Sequence, residues 1–184
     1  MIKKVLGWMF IVALVGGSGF DLGTKIYTRF TEHQPEVRVE VESRTRQITR
    51  YIRCRSSTIP VEFAQIIAQN IVGVAQEKKV PVDLLIGIIE KESIWNAGAV
   101  SSAGARGLMQ ILRAENVEVD VEQAHNIHYN LSTGAEILSG KIKIAQGDLN
   151  LALSNYSGGA EDYTNEVLAR MGRWLLYTQS KKED

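Results

Sequence analysis

The sequence predicts a mainly α-helical domain that follows an apolar segment at the N-terminus. Apolar residues recur with helical spacing from about residue 61 onward. Proline, glycine and capping residues separate these periodic stretches at short intervals. The chain has 184 residues, of which 45% are hydrophobic, and this length suits one compact domain with an appendage.

The first 20 residues have the pattern of an export signal. Lys3 and Lys4 precede an apolar run of 16 residues at 5–20, and this order of charge and hydrophobicity is typical of secretory targeting. A membrane span needs roughly 17–25 residues, so the run is slightly short. We predict a signal anchor or signal helix at 1–20. It is retained in the membrane or, as the alternative, cleaved as a signal peptide, and the remaining chain is exported in both cases.

Residues 21–57 are polar and basic, and we predict a spacer there. Valine alternates with charged residues at 37–41, which is a strand-like pattern, whereas 44–55 is compatible with a basic helix. Residues 1–56 carry 10 basic and 5 acidic side chains. Because this region has no nucleic-acid-binding motif, we interpret it as a solvated stalk, with contact to anionic lipid as the alternative.

The globular domain is predicted at 58–178, followed by a charged tail at 179–184. Thr58 is a candidate N-cap with Pro60 in the first helical turn. Residues 94–107 are predicted to form a loop, and 157–159 a turn. The predicted helices lie at about 61–78, 81–93, 107–115, 130–146 (capped by Asn130), 148–156 (capped by Asp148) and from about 163 onward.

Glu92 is the candidate catalytic residue. Leu85 and Ile88 precede it by seven and four residues, so its carboxylate shares the apolar stripe of its helix. Burial raises the pKa of a carboxyl group, which then stays protonated near neutral pH and can act as a general acid. The alternative is that Glu92 marks the edge of the stripe or meets a buried partner. Glu90, about 200° away around the helix, is predicted to face water.

No metal, cofactor or intrachain disulfide is predicted. Cys54 is the single cysteine, and we interpret it as a structural thiol, with an intermolecular link as the alternative. His125 and His128 lie three residues apart, but no cysteine or third histidine is near them in the sequence. The HExxH arrangement of zinc proteases is also absent.

Several motifs occur in the order found in one enzyme family. They are Glu92-Ser93 after an apolar helix, Trp95-Asn96, AVSSAGARGLMQ at 99–110, NLSTGAEIL at 130–138 and LSNYSGG at 153–159. Over about 60–175 the chain resembles the lytic transglycosylases of the soluble-lytic-transglycosylase (SLT) domain type, within the lysozyme-like superfamily. The resemblance implies a lysozyme-like helical domain.

Three positions depart from the family's pattern. Ala97 stands where the family has a proline, a second proline is replaced near Arg113, and Ser157 stands in place of an asparagine. The candidate acid is unaffected by these changes. They therefore bear on substrate preference more than on activity.

The resemblance implies a reaction in which Glu92 acts twice. Glycoside hydrolases use two carboxylates, whereas the family uses one. Protonated Glu92 would donate to the glycosidic oxygen between N-acetylmuramic acid and N-acetylglucosamine, and the substrate's acetamido group would stabilise the oxocarbenium ion. The Glu92 carboxylate would then take the proton of the muramoyl C6 hydroxyl as a 1,6-anhydro ring closes. Its pKa must lie near the working pH, and neither metal nor nucleotide takes part.

Four further residues match positions that line the family's substrate cleft. Ser101 matches a serine beside the acid, with a turn-capping hydroxyl as the alternative. Met109 and Gln110 match the cleft segment Gly-Leu-Met-Gln, and Tyr156 matches a tyrosine that faces the glutamate. In isolation, Met109 and Tyr156 would be interpreted as core packing.

Two other functions fit the sequence: a muramidase that cleaves the same bond with water, and a catalytically inactive scaffold that binds the wall. The predicted partners are peptidoglycan strands, the inner membrane through residues 5–20, and a secretion, conjugation or phage assembly, but no nucleic acid. The predicted location is the inner membrane, facing the periplasm, or the periplasm itself if the signal is cleaved.

Overall fold

The computed structural model describes residues 35–112 and 119–181 of the chain. The predicted anchor at 1–20 lies outside the described residues. The chain divides into two compact units, residues 1–40 and 41–184. Within the described residues, no helix has both the length and the hydrophobicity that a membrane span requires.

The described part of the chain is built from helices and contains no strand, which agrees with the prediction of a mainly α-helical protein. Two isolated β-bridges occur in the loop between the third and fourth helices, where Arg106 pairs with Val100 and with Ile111. The helices are α1 (Pro35–Arg55), α2 (Val61–Lys78), α3 (Val82–Glu92), α4 (Ile127–Ile144), α5 (Leu149–Tyr156) and α6 (Tyr163–Ser180).

Helix α3 is the centre of the core. Every residue from Leu84 to Glu90 is buried, as expected for a helix that is apolar on nearly all sides. The helix packs against α2 and α6, while α4 packs against α2 and α5. Gly87 permits the close approach to α6, because a Cβ atom there would lie 2.9 Å from the carbonyl oxygen of Val167.

Helices α3 and α6 run antiparallel. The indole nitrogen of Trp174, late in α6, donates to Asp83 at the start of α3 over 2.6 Å. The hydroxyl of Tyr163, the first residue of α6, reaches Glu92 at the end of α3. This pairing brings the beginning of α6 to the candidate catalytic residue.

The structure corrects the predicted spacer. Residues 35–55 form one continuous helix, including the stretch 37–41 that had a strand-like alternation. Ile48, Tyr51 and Ile52 are buried members of the core, and their i, i+3, i+4 spacing is the mark of a helical face. The surrounding charged residues concealed this stripe. The compact unit therefore begins at about residue 41 rather than 58.

Two predicted caps are also wrong. Helix α4 begins four residues before the position expected from Asn130, and its N-cap is Asn126, whose side chain accepts from the amide of Tyr129. Thr58 caps no helix, because α2 starts directly after Pro60 without a side-chain cap. The predicted helix at 107–115 is absent from its described part, where residues 107–110 form a turn.

Other predicted boundaries are confirmed. Helix α2 occupies the predicted range, and α3 ends one residue before its predicted end. Asp148 caps α5 by accepting from the amide of Leu151, and that helix ends at Tyr156 as predicted. A turn follows at 157–159. Only six residues separate the end of α5 at Tyr156 from the start of α6 at Tyr163.

Candidate active site

Glu92 is the last residue of α3 and lies at the margin of the core. The Tyr163 hydroxyl donates a hydrogen bond of 2.5 Å to Glu92 Oε1. Burial raises the pKa of the Glu92 carboxyl, and this effect outweighs the Tyr163 hydrogen bond and the nearby Lys91 ammonium, both of which lower it. The direction and the main cause agree with the sequence prediction.

The backbone reverses sharply after Glu92. Ser93 donates its hydroxyl hydrogen to the carbonyl of Ile89 over 3.1 Å. Ile94 and Trp95 then adopt φ values of 50° and 67°, a left-handed conformation that is unfavourable for side chains of this size. Trp95 is fully buried while Ile94 is exposed. Burial of the indole ring therefore holds a strained turn next to the candidate acid, which is where such strain is often found.

Ser101 caps a turn in the loop that follows. Its amide donates to the carbonyl of Ala105 over 2.9 Å, and its hydroxyl accepts from the Ala105 amide over 3.0 Å. The residue is exposed. These bonds correspond to the turn-capping alternative, and a contact with the substrate stays a prediction.

The side chains of Met109 and Gln110 stabilise the loop between α3 and α4. The Met109 side chain is fully buried and packs against Gly134 of α4, so it corresponds to the core-packing alternative. Gln110 donates from Nε2 to the carbonyls of Ala99 (3.2 Å) and Gly107 (2.9 Å). Gln110 therefore closes the loop on itself.

Asn130 anchors this loop to α4. Its Oδ1 accepts from the Met109 amide over 2.8 Å, and its Nδ2 donates to the carbonyls of Arg106 (2.8 Å) and Ala124 (2.7 Å). Gly107 has a φ of 76°, and a Cβ atom there would lie 2.2 Å from Asn130 Nδ2. Glycine is therefore needed at this position on both conformational and steric grounds.

Two tyrosines stand near Glu92, and of the two Tyr163 is the one hydrogen-bonded to it, while contact of Tyr156 with the substrate stays a prediction. Tyr156, expected to face the glutamate, donates its hydroxyl hydrogen to the carbonyl of Met109 over 3.2 Å. Tyr163 supplies the hydrogen bond to Glu92 instead, and the two rings lie 6.4 Å apart between centroids. Burial, with a contribution from the Glu92 charge, raises the pKa of the Tyr156 hydroxyl, so it remains protonated as a donor.

Tyr163 was not among the predicted site residues, because the sequence indicates only that it begins the apolar stripe of the last helix. An amphipathic side chain at the end of such a stripe carries a polar tip that needs a partner when buried. Tyr163 is 5% exposed and begins α6. A tyrosine at the start of an apolar stripe is the sequence signal for a buried polar partner, but the identity of that partner follows only from the fold.

Glu90 does not face water as predicted. Its side chain is 3% exposed and accepts from the Tyr51 hydroxyl (2.8 Å), from Arg55 Nε (2.7 Å) and from Arg173 Nη2 (3.3 Å). The prediction was wrong because α3 is enclosed on all sides. The face of α3 that carries Glu90 therefore meets helices α1 and α6.

His125 and His128 make hydrogen bonds to residues that are distant in the sequence. His125 Nδ1 lies 3.1 Å from the carbonyl of Ala97, and His128 Nδ1 lies 3.1 Å from Asn70 Oδ1. Across residues 35–112 and 119–181, no group of three or more His, Cys, Asp or Glu side chains is arranged to hold a metal ion. Cys54 is exposed.

Comparison with known proteins matches the sequence of this chain to one family. The family model described as the transglycosylase SLT domain matches residues 69–174, which include Glu92, the loop and both tyrosines. A protein named transglycosylase from Enterobacteria phage PRD1 is 36% identical over 76 residues, or 41% of this chain and 28% of that protein. The chain therefore aligns with less than a third of that relative's length. Because the family model covers more than half of the 184 residues, the chain belongs to the transglycosylase SLT domain family.

Proposed function

We propose that the protein is a peptidoglycan lytic transglycosylase. It cleaves the β-1,4 bond between N-acetylmuramic acid and N-acetylglucosamine and leaves a 1,6-anhydro-muramic acid end. The main support is Glu92, a partly buried carboxyl group of raised pKa held by the hydroxyl of Tyr163, in a domain of the transglycosylase family.

In the first step Glu92 is the acid. Tyr163 donates to Oε1, and the hydrogen bonds of the described residues leave Oε2 open to carry the proton. Burial raises the pKa of Glu92 and so favours the protonated form that this step needs. The proton passes to the glycosidic oxygen as the bond from the muramoyl C1 breaks. N-acetylglucosamine leaves with a free 4-hydroxyl, and the neighbouring acetamido group of the substrate stabilises the cationic centre.

In the second step Glu92 is the base. Its carboxylate takes the proton of the muramoyl C6 hydroxyl while O6 forms a bond to C1. The ring closes, Glu92 is protonated again, and no water is consumed. A single residue serves both steps only if its pKa is near the working pH, which is the direction in which burial moves Glu92.

The surroundings of Glu92 favour a mechanism with one carboxylate. Two acidic residues of α3 and α6 are already engaged by other partners. Glu90 is buried among its own partners on the α1 side. Glu166 forms ion pairs with Lys91 and Arg170. Hydrolysis would require a second carboxylate positioned across the bond.

The products distinguish this proposal from a muramidase. Purified peptidoglycan is digested with the full chain, and the fragments are reduced with borohydride and weighed by mass spectrometry. We expect muramic acid ends that are lighter by one water and resist reduction. Reducible ends carrying the added water would establish the muramidase instead.

The phage origin of the relative named transglycosylase supports a role in opening the wall locally, for example during phage infection. For that role we propose an exported protein held by residues 5–20 in the inner membrane, with the domain in the periplasm. Cleavage of the anchor would release it there. Fractionation of cells that express the full chain, followed by N-terminal sequencing, tests both forms.

Tyr163→Phe is expected to lower kcat about tenfold, because it removes a directed hydrogen bond that orients the acid. The hydrogen bond lowers the pKa of Glu92, so its loss moves the alkaline limb of the pH–rate profile to higher pH. Tyr129→Phe is the control, since Tyr129 accepts from the Asp120 amide over 2.7 Å and makes no contact with Glu92. An unchanged profile in Tyr163→Phe would show that the hydrogen bond has no part in the reaction.

A further inference from the structure

We propose that Glu90 is a positioning residue for the reaction and that Tyr51 and Arg55 of α1 act through it. The Glu90 site fixes the end of α3, and thereby the place of the Glu92 carboxylate. The inference rests on the proposed function for its kinetic consequence, whereas its effect on Glu92 is observable without any substrate.

The Glu90 site joins three helices behind the candidate acid. The Tyr51 hydroxyl donates to Oε2 over 2.8 Å, and Arg55 Nε donates to Oε1 over 2.7 Å. Arg173 of α6 adds a longer contact of 3.3 Å to Oε1. Both carboxylate oxygens are therefore held from outside α3. A buried acid with this set of charged and hydroxyl partners fixes the rotation of its helix more firmly than apolar contacts do.

Tyr51 also reaches the strained turn on the other side of Glu92. Its ring lies edge-on to the Trp95 ring, with centroids 6.2 Å apart. One side chain thus holds the residue two positions before Glu92 through its hydroxyl, and the residue three positions after it through its ring. Because Trp95 adopts a left-handed conformation, the turn depends on such packing to persist.

Helix α1 contributes these contacts from outside the segment that matches the family model, which begins at residue 69. It therefore acts as part of the catalytic domain of this chain. A second ion pair joins α1 to α3 at the far end, where Arg44 Nη2 lies 2.6 Å from Asp83 Oδ1. Asp83 precedes Glu92 by nine residues, so this pair provides a matched control.

A titration of Glu92 must consider every charge around the two carboxylates. The titratable and charged groups that face them are Tyr51, Arg55 and Arg173 for Glu90, and Tyr163, Tyr156 and Lys91 (itself paired with Glu166) for Glu92. Tyr51→Phe leaves all ionic charges in place. A change in the Glu92 titration in that variant therefore reports a change in position or hydration.

The first experiment follows the Glu92 carboxyl carbon by ¹³C NMR in protein labelled with [¹³C]glutamate. The signal is assigned by its absence in Glu92→Gln. We expect the titration midpoint of Glu92 to move toward the ordinary value in Tyr51→Phe, because a looser turn admits water, and to stay in place in Arg44→Gln. Equal midpoints in wild type and Tyr51→Phe, or equal shifts in both variants, would overturn the inference.

The second experiment measures kcat and KM on peptidoglycan for the same variants. Tyr51→Phe should lower kcat about tenfold with KM within about twofold, because the acid is displaced while the cleft is kept. Arg44→Gln should leave both constants unchanged per folded molecule. Arg55→Lys, which keeps the charge but loses the planar donor, should lie between wild type and Arg55→Gln, and it serves in place of Tyr51→Phe if that variant does not fold.

The two proposals fail in different ways. If wild-type products carry reducible ends, the transglycosylase chemistry is wrong, and the Glu92 titration still decides the role of Glu90. If anhydro products form but Tyr51→Phe and Arg44→Gln behave alike, the positioning role is wrong and the proposed function stands.

Discussion

Glu92→Gln is expected to lose about 10⁴-fold in kcat, the upper range for a positioned acid or base, because one side chain serves both proton transfers in the proposed reaction. The amide is nearly isosteric with the carboxyl group and can still accept the Tyr163 hydrogen bond, so the cleft keeps its shape. Release of anhydro fragments from peptidoglycan measures the loss. Glu161→Gln, at an exposed position before α6, should retain wild-type activity.

The same substitution is expected to stabilise the protein near neutral pH. The folded-state pKa of Glu92 is raised above its unfolded value, so the folded protein binds this proton more tightly. Its contribution to stability is complete below the unfolded pKa and is lost as pH rises through the folded pKa. Glutamine does not ionise, so Glu92→Gln should match the melting temperature of wild type at about pH 4 and exceed it at pH 7.

Together these results separate a catalytic acid from a structural one. A residue that is needed for folding loses stability when replaced, whereas a buried acid kept for chemistry gains it. Undiminished wall cleavage by Glu92→Gln would refute the mechanism and favour an inactive scaffold. A lower melting temperature at pH 7 would show that Glu92 is held chiefly for the fold.

Asn130→Asp is expected to reduce the free energy of unfolding by about 3 kcal/mol, because a buried carboxylate would face two carbonyl oxygens. The wild-type amide donates to the carbonyls of Arg106 and Ala124 at 2.8 and 2.7 Å, and aspartate cannot donate when ionised. The Oδ1 acceptor for the Met109 amide remains, so the lost free energy of unfolding reports on the two donated hydrogen bonds alone. Urea unfolding measures this free energy.

Asn126→Asp is the matched control for that prediction. Asn126 caps the same helix by accepting from the Tyr129 amide, and aspartate is an equally good N-cap. We expect its unfolding free energy to stay within about 0.5 kcal/mol of wild type. The deficit of Asn130→Asp should shrink at acidic pH, where the protonated acid regains one donor. Similar stabilities for the two variants would refute the anchoring role of Asn130.

The sequence predicted most of the helices for a definite physical reason. Helix α2 shows an apolar stripe, and Asp148 capped α5 as expected. The sequence did not predict that helix α1 packs into the core, because its buried face is short and lies within a highly charged segment. Asn130 has the side chain of a cap but is used as a buried bridge, and only tertiary contacts distinguish these two uses.

The candidate site was predicted in part. The sequence predicted that burial raises the pKa of Glu92, and the structure agrees in direction and cause, while the role of Glu92 as the acid stays a prediction. Which tyrosine reaches Glu92 was beyond the sequence, because Tyr156 and Tyr163 lie on different helices and their separation depends on the intervening turn. Glu90 was misplaced since helical periodicity gives a direction but does not say whether water or another helix lies there.

The left-handed pair at Ile94 and Trp95 has a consequence for how activity arises during folding. Local conformational preference opposes this turn, so it forms only when the indole ring is packed in the core. A compact intermediate with formed helices and loose side-chain packing would contain α3 but no oriented acid. The orientation of Glu92 is therefore gained only in the last stage of folding, when the packing around Trp95 is complete.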